Sequence, residues 1–219
     1  MVGYYQTLFA SSNPSDFDEL IHAVQPRVTP VMNHVLTQEF TANEARQVLK
    51  QMYPLKVPGL DGMPPLFFQY FWPIIGDVVI KTVLDFLNVG ICPPNFHDTH
   101  IMLVPKCKEP KRIIDYRPIS LCNVVYKVAS KSIANRLKKI LPSISSDTQS
   151  DFVHGRLITD NILVAFETTN HISQKKVERI GEMALKLHMT KAYDRVEWVC
   201  LEKIMKKLGF VAKWRELLM

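Results

Sequence analysis

DYRPISLCNVVYKVASKSIANRLKKILP, residues 115–142, carries two different periods in one stretch. Tyr116 to Ile119 reads as a short strand. From Asn123 the spacing lengthens, and Val124, Val125, Val128, Ile133 and Leu137 are the apolar positions of a helix that runs to Ile140 and ends before Pro142. The rear half of that helix is basic. Immediately upstream, HIMLVP (100–105) reads as a buried strand, and the polar, basic KCKEPKRIID (106–115) joins the two strands as a loop.

Working outward, Thr-Ala-Asn-Glu at 41–44 has the spacing of a capping box and predicts an amphipathic helix through Met52. KVPGLDGMPP (56–65) is turn-rich, with Pro58, Gly59, Asp61 and Gly62 as structural punctuation. Two helices follow, Leu66 to Phe71 and Ile74 to Val89, the second stopped by Gly90. The apolar run from Leu66 to Leu87 is broken by Gln69, Pro73, Gly76, Asp77, Lys81 and Asp85, which fits core helices and not a membrane span. Downstream, Asp160 to Gln174 predicts a helix. Glu182 to Met189 alternates like a strand, and Val196 to Leu208 predicts a helix capped by Gly209. Residues 1–36 hold no sustained period and contain Pro14, Pro26 and Pro30, so they read as an extension with one short helix near Asp16 to Ala23. Helices first, then a small sheet wrapped by helices, is an α+β layout.

Composition narrows the class only slightly. Lys and Arg outnumber Asp and Glu by 27 to 21, with a pI of about 9.1, a balance that suits a phosphate-bearing partner but equally a slightly basic surface. Cys92, Cys107, Cys122 and Cys200 make no CxxC pair and stand beside no histidine cluster at zinc-ligand spacing, so free thiols with no disulfide partner are expected. The opening residues have no basic run leading into an apolar segment, as a signal peptide would.

Five segments, taken in order, resemble the reverse-transcriptase domain of plant-type non-LTR (LINE-type) retrotransposons: PLKVPGLDGMPPLFFQYFW (54–72), HIMLVPK (100–106), residues 115–142 quoted above, QSDFVHGRLITDNILVAFE (149–167) and ALKLHMTKAYDRVEW (184–198). The resemblance implies a right-hand polymerase. Residues 1–35 would be a linker or extension and 36–219 a partial polymerase domain, with fingers over about 36–180 and the start of the palm over about 181–219. The chain would then hold the fingers with the first strand and helix of the palm, and be truncated before the catalytic hairpin and thumb. An RNA template and a DNA primer, as an RNA–DNA hybrid, are the implied partners, with no membrane. An intracellular place, cytoplasm or nucleus, follows from the resemblance alone.

The resemblance also assigns roles. Lys106 and Arg117 would contact the nucleotide triphosphate, Lys as a point charge and Arg as a bidentate donor. Without it, both would read as solvated strand-end cations. Gln149, Phe152, Gly155 and Arg156 match the segment that sits against the template and incoming base. Arg136, Lys138 and Lys139 form a basic cluster on the long helix that would track a template or primer backbone, or simply a solvated helix end favoured by the dipole. Tyr193, followed by Asp194, would pack under the incoming sugar.

Five residues before Tyr193 the family carries an Asp that binds both magnesium ions. Here that position is His188. Imidazole offers one nitrogen and no bridging oxygen, a poor match for a hard, octahedral cation. Asp194 lies past the strand end and does not replace it. The aromatic-Ala-Asp-Asp motif of the later hairpin does not occur in these residues, and Asp151 and His154 stand where the family usually has Ala and Pro. The expectation is therefore a reverse-transcriptase segment without catalysis and with no cofactor of its own, Mg2+ belonging to the intact family. The alternatives are a non-catalytic, weakly nucleic-acid-binding remnant, or a relic with no function.

Overall fold

The structure is a computed structural model, and it describes residues 2–14, 16–175, 182–187 and 193–219. Ten helices and two strands occur among them: α1 Val2–Phe9, α2 Asp18–Ala23, α3 Pro30–Thr37, α4 Ala42–Lys50, α5 Pro65–Tyr70, α6 Trp72–Leu84, β1 Thr99–Pro105, β2 Tyr116–Cys122, α7 Val124–Ile144, α8 Ile158–Gln174, α9 Trp198–Leu208 and α10 Ala212–Leu218. The chain divides into two compact units, one built mainly from residues 33–137 and 212–218, the other from 2–32 and 138–211.

In the first unit, the capping box at the head of α4 is present. Thr41 Oγ1 accepts the Glu44 amide at 3.3 Å, and Glu44 Oε2 accepts the Thr41 amide at 2.8 Å. Ala45, Val48 and Leu49 on α4, with Met52 just beyond, are buried at the helical spacing of one face. Gln69 closes the far end of α4, its Nε2 donating to the carbonyls of Leu49 at 2.9 Å and Met52 at 3.0 Å. Phe68, Val79, Val83, Leu87, Val124, Val128 and Trp214 are buried in the same unit. Each such side chain contributes about 1.5–3 kcal/mol relative to exposure. The second predicted helix ends in a π-turn, Asp85–Val89, before Gly90 at φ +80°. Within that turn Asn88 exchanges two hydrogen bonds with the backbone of Phe40, 2.8 and 3.0 Å.

β1 and β2 form an antiparallel hairpin with Thr99 opposite Cys122 and Pro105 opposite Tyr116. β2 thus runs three residues further than its sequence predicts, because cross-strand pairing carries it on to the start of α7. β1 is not the buried strand its apolar composition predicts: Ile101 and Met102 are about half exposed, since no second layer covers the ribbon among the described residues.

Three further expectations are corrected. α7 continues through Pro142 to Ile144. A proline this near a C-terminus removes one helical bond, and the freed end is served by side chains: Arg27 Nη1 donates to Ile144 O and Arg156 Nη2 to Pro142 O, both at 3.3 Å. Glu182–Leu187 is not a strand, and no strand lies beside it among the described residues to complete its hydrogen bonds. The first 36 residues hold three helical segments where one was expected. In the second unit these early residues pack on α9: the amides of Arg27 and Val28 donate to Leu208 O at 3.0 and 2.9 Å. Gly209, at φ +101°, ends α9 as predicted. α10 lies beyond the predicted elements and buries Trp214.

Candidate nucleotide and nucleic-acid interface

The hairpin loop is organised by one carboxylate. Asp115 Oδ2 accepts the amides of Lys111 at 3.1 Å and Arg112 at 2.8 Å, and these bonds, the Arg112 one foremost, hold its pKa below the usual carboxylate value. The amide of Lys106 donates to Asp115 O at 2.7 Å, which extends the ladder one step past β1.

Val104 pairs with Arg117, so Lys106, two residues on, falls on the same face of the ribbon as Arg117, one diagonal step away. The hairpin therefore brings these two predicted cations together. Both are exposed. Lys106 Nζ donates to Ile114 O at 2.8 Å, a neutral partner that an anion can displace. Lys106, Lys108, Lys111, Arg112 and Arg117 stand against Glu109 and Asp115 in residues 99–122, so the ribbon is net positive.

Arg136 departs from its predicted place in a basic surface cluster. It is 5% exposed. Its Nε and Nη2 donate to Glu44 at 2.8 and 2.9 Å, Nη2 also to Glu39 O at 2.8 Å, and Nη1 to Leu36 O at 3.0 Å and to Gln38 O. The guanidinium carbon lies 3.5 Å from the centre of the Phe40 ring. Every donor group has a protein acceptor, so this arginine closes the entry to α4 and has nothing left to offer a phosphate. Lys138 and Lys139, on the same helix, are exposed.

In the second unit, residues 145–157 form a tight loop after α7. Arg156 is turned inward on it, donating to Gln149 O at 2.6 Å, to Ser146 O and to Pro142 O, with Asp147 at 3.9 Å. Its first task is to shape the loop. Gln149 is exposed and its Nε2 donates to Asp151 O at 3.1 Å. Val153 is buried and anchors the loop, while Phe152 beside it is 76% exposed at φ +63°. A phenylalanine in the left-handed region is uncommon and costs about 1–3 kcal/mol unless its surroundings impose it. Gly155, at φ +84°, takes the conformation that glycine adopts freely.

Tyr193 opens a short 3-10 turn, Tyr193–Arg195, and His188 lies outside the described residues. At the position that the resemblance gives to a magnesium-binding carboxylate the sequence has His188, and an imidazole suits that ion poorly. The four cysteines are free thiols, and no helix of the described residues is long and apolar enough to cross a membrane. One group of cations was not anticipated: Lys56, Lys127 and Lys131 line a single cleft. The available signal was the four-residue spacing of Lys127 and Lys131 on one helix face.

Comparison with known proteins places these observations. The family model for reverse transcriptase (RNA-dependent DNA polymerase) matches residues 105–218, just over half of the chain, from the end of β1 to α10. The transposon TX1 uncharacterized 149 kDa protein of Xenopus laevis is 31% identical over 196 residues, covering 89% of this chain and 15% of its own length. The probable RNA-directed DNA polymerase from transposon BS of Drosophila melanogaster is 24% identical over 206 residues, covering 92% of this chain and 22% of its own. The chain thus spans about a fifth or less of either relative. The hairpin loop, β2, the long helix and the loop that follows it all lie within the matched residues, and the chain belongs to the reverse transcriptase family, of the kind carried by non-LTR transposons.

Proposed function

We propose that this chain contributes the fingers, over about 36–180, and the start of the palm, over about 181–219, to an RNA-directed DNA polymerase, with residues 1–35 leading into them. In this reading Lys106 and Arg117 hold the triphosphate of an incoming nucleotide. The observation that carries it is their placement on one face of a net-positive ribbon within residues matched to the family. Two cations one diagonal step apart can engage neighbouring phosphates, the arginine through paired N–H donors.

Gln149 and Phe152 are read as facing the template, with Phe152 offering an exposed ring on which a base can stack. Gly155 and Arg156 set the shape of that loop. Lys138 and Lys139 follow a phosphate backbone, Arg136 being withdrawn from that role by its burial. Tyr193 would lie beneath the sugar. The partners would be an RNA template and a DNA primer.

We further propose that the chain binds but does not polymerise, because His188 occupies the position read as the first metal-binding carboxylate. A neutral imidazole supplies neither bridging oxygens nor the negative charge that keeps two dications close. Primer extension with Mg2+ on a primed RNA template, alongside filter binding of the same hybrid, tests both halves. The expected result is salt-sensitive binding without extension. Extension by the unaltered chain would overturn the loss of catalysis, and binding indifferent to salt would overturn the phosphate-contact reading.

A further inference from the structure

Away from the hairpin, the first unit has an open cleft of about 600 Å3 lined by Gln51, Tyr53, Lys56, Lys127, Ser130 and Lys131, with Met52 at its floor. Three lysines on two stretches of chain line it, and the charges of Lys56 and Lys127 are close enough to act on each other. Lys56 comes from the turn after α4, while Lys127 and Lys131 come from successive turns of α7. Among the described residues, neither Lys56 nor Lys127 belongs to an ion pair. The Lys127 ammonium donates to Val57 O at 2.9 Å. Burial first and then the Lys56 charge push its pKa down, against smaller opposing effects from Cys122 and Asp61. The Lys56 and Lys127 charges repel one another, and an anion placed between them relieves that repulsion. Gln51 and Ser130 add neutral hydrogen-bonding groups at the wall, and Tyr53, 69% exposed, puts an aromatic ring at the rim.

The geometry points to a phosphate-binding site in which Lys56, Lys127 and Lys131 hold a phosphodiester of a single-stranded nucleic acid while Tyr53 takes the adjoining base. The placing of a stacking ring beside a cationic seat favours a strand over a bare ion, since each nucleotide brings both a phosphate and a ring face. This inference shares with the reading above only that the partner is a nucleic acid. It uses none of the same residues.

The turn that carries Lys56 is fixed independently of any ligand. Gly59 lies so close to α7 that an added Cβ would stand 2.3 Å from Asn123 Oδ1 and 2.4 Å from Asn123 N. Asn123 Oδ1 in turn accepts the Asp61 amide at 3.3 Å. The two walls of the cleft are thereby held together before anything enters it, which lowers the ordering cost of binding.

The test titrates the whole chain with a short fluorescein-labelled oligouridylate over a range of salt, and separately with inorganic phosphate. It compares the wild type with Lys56→Gln/Lys131→Gln, Tyr53→Ala and Lys106→Gln/Arg117→Gln. Each lost phosphate contact flattens the log–log salt slope by about 0.7 and weakens binding about fivefold at 0.1 M salt, so the Lys56/Lys131 pair is expected to lose about twenty-five-fold. Tyr53→Ala should weaken binding of the oligouridylate and leave the salt slope alone. If the oligouridylate is ignored but inorganic phosphate shifts the amide NMR signals of residues 51–56 and 127–131, the cleft is a phosphate site for a free anion, and the strand is overturned. A salt slope unchanged in Lys56→Gln/Lys131→Gln, or no response to either probe, overturns the site. If only Lys106→Gln/Arg117→Gln weakens binding, the hairpin reading stands and the cleft falls alone.

Discussion

The guanidinium of Arg136 meets the carboxylate of Glu44 twice, Nε to Oε1 at 2.8 Å and Nη2 to Oε2 at 2.9 Å. Glu44 therefore serves two masters, the capping box of α4 and a buried cation. Removing the Glu44 charge leaves the buried guanidinium less well compensated, and because Glu44 is partly exposed the loss is smaller than the roughly 3–5 kcal/mol of a fully buried pair. Glu44→Gln should lower the urea midpoint of the chain by a corresponding amount. Arg136→Lys should fare little better, because an ammonium cannot reproduce the fork.

The same pair sets an acid limit. Burial acts to raise the Glu44 pKa, but the hydrogen bonds and charge of Arg136 and the Thr41 amide outweigh it, and the net direction is down from about 4.5. A carboxylate depressed on folding contributes stability in full above its unfolded pKa and loses it as pH falls through the folded value. The urea midpoint should drop below about pH 4.5 in the wild type, and Glu44→Gln should remove part of that slope. An identical slope in the variant would assign the acid transition to other carboxylates.

Gly59→Ala places a methyl within 2.3–2.5 Å of Asn123 and the Cys122 carbonyl carbon, mostly backbone atoms that cannot swing away. Overpacking of this kind costs about 1–3 kcal/mol and occasionally more. Gly62→Ala, where the only obstacle is φ +67° with open space around the Cβ, should cost less. Thermal unfolding of the two variants side by side checks the ordering.

Asp115→Asn should loosen the hairpin loop without unfolding either unit. The amide side chain keeps one acceptor oxygen but loses the charge that strengthens both backbone bonds. Faster tryptic cleavage after Lys108, Lys111 and Arg112, with an unchanged far-UV spectrum, is the expected outcome. Unchanged cleavage would show that the loop holds itself by other means.

Glu197 binds the N-terminal segment, accepting Ser11 Oγ at 2.6 Å, Ser12 N at 2.9 Å and Ser12 Oγ at 2.8 Å, and these bonds hold its pKa down, Ser11 foremost. Glu197→Ala should raise amide hydrogen exchange in α1 and in the first turn of α9 together. An effect confined to α9 would mean that Ser11 and Ser12 are not held by this contact.

Local chemistry was legible from residues 41–142, and long-range chemistry was not. The Thr41–Glu44 box, the strand–loop–strand order and the Gly90 and Gly209 stops follow from neighbours in sequence. The helix breaking expected at Pro142 did not occur because Arg27 and Arg156 serve the carbonyls at that helix end, and no local pattern announces them. Arg136 misled for the same reason. Next to Lys138 and Lys139 it resembles a surface cation, and only the chain brought past it at 36–44 reveals a buried one. The strand expected at 182–189 rested on alternation alone, and its described part, 182–187, has no pairing neighbour among the described residues. That Lys106 and Arg117 stand side by side follows from the register of one hairpin, a local feature.

Phe152 has a further consequence. Glycine or asparagine would occupy its backbone conformation, φ +63°, with less strain, yet the chain keeps a large ring there and exposes it. Phe152→Asn should fold at least as firmly as the wild type while holding a nucleic-acid strand less well. If the ring stacks on a template base as proposed, durability and grip are opposed at this residue, and selection for thermal robustness alone would erode binding first.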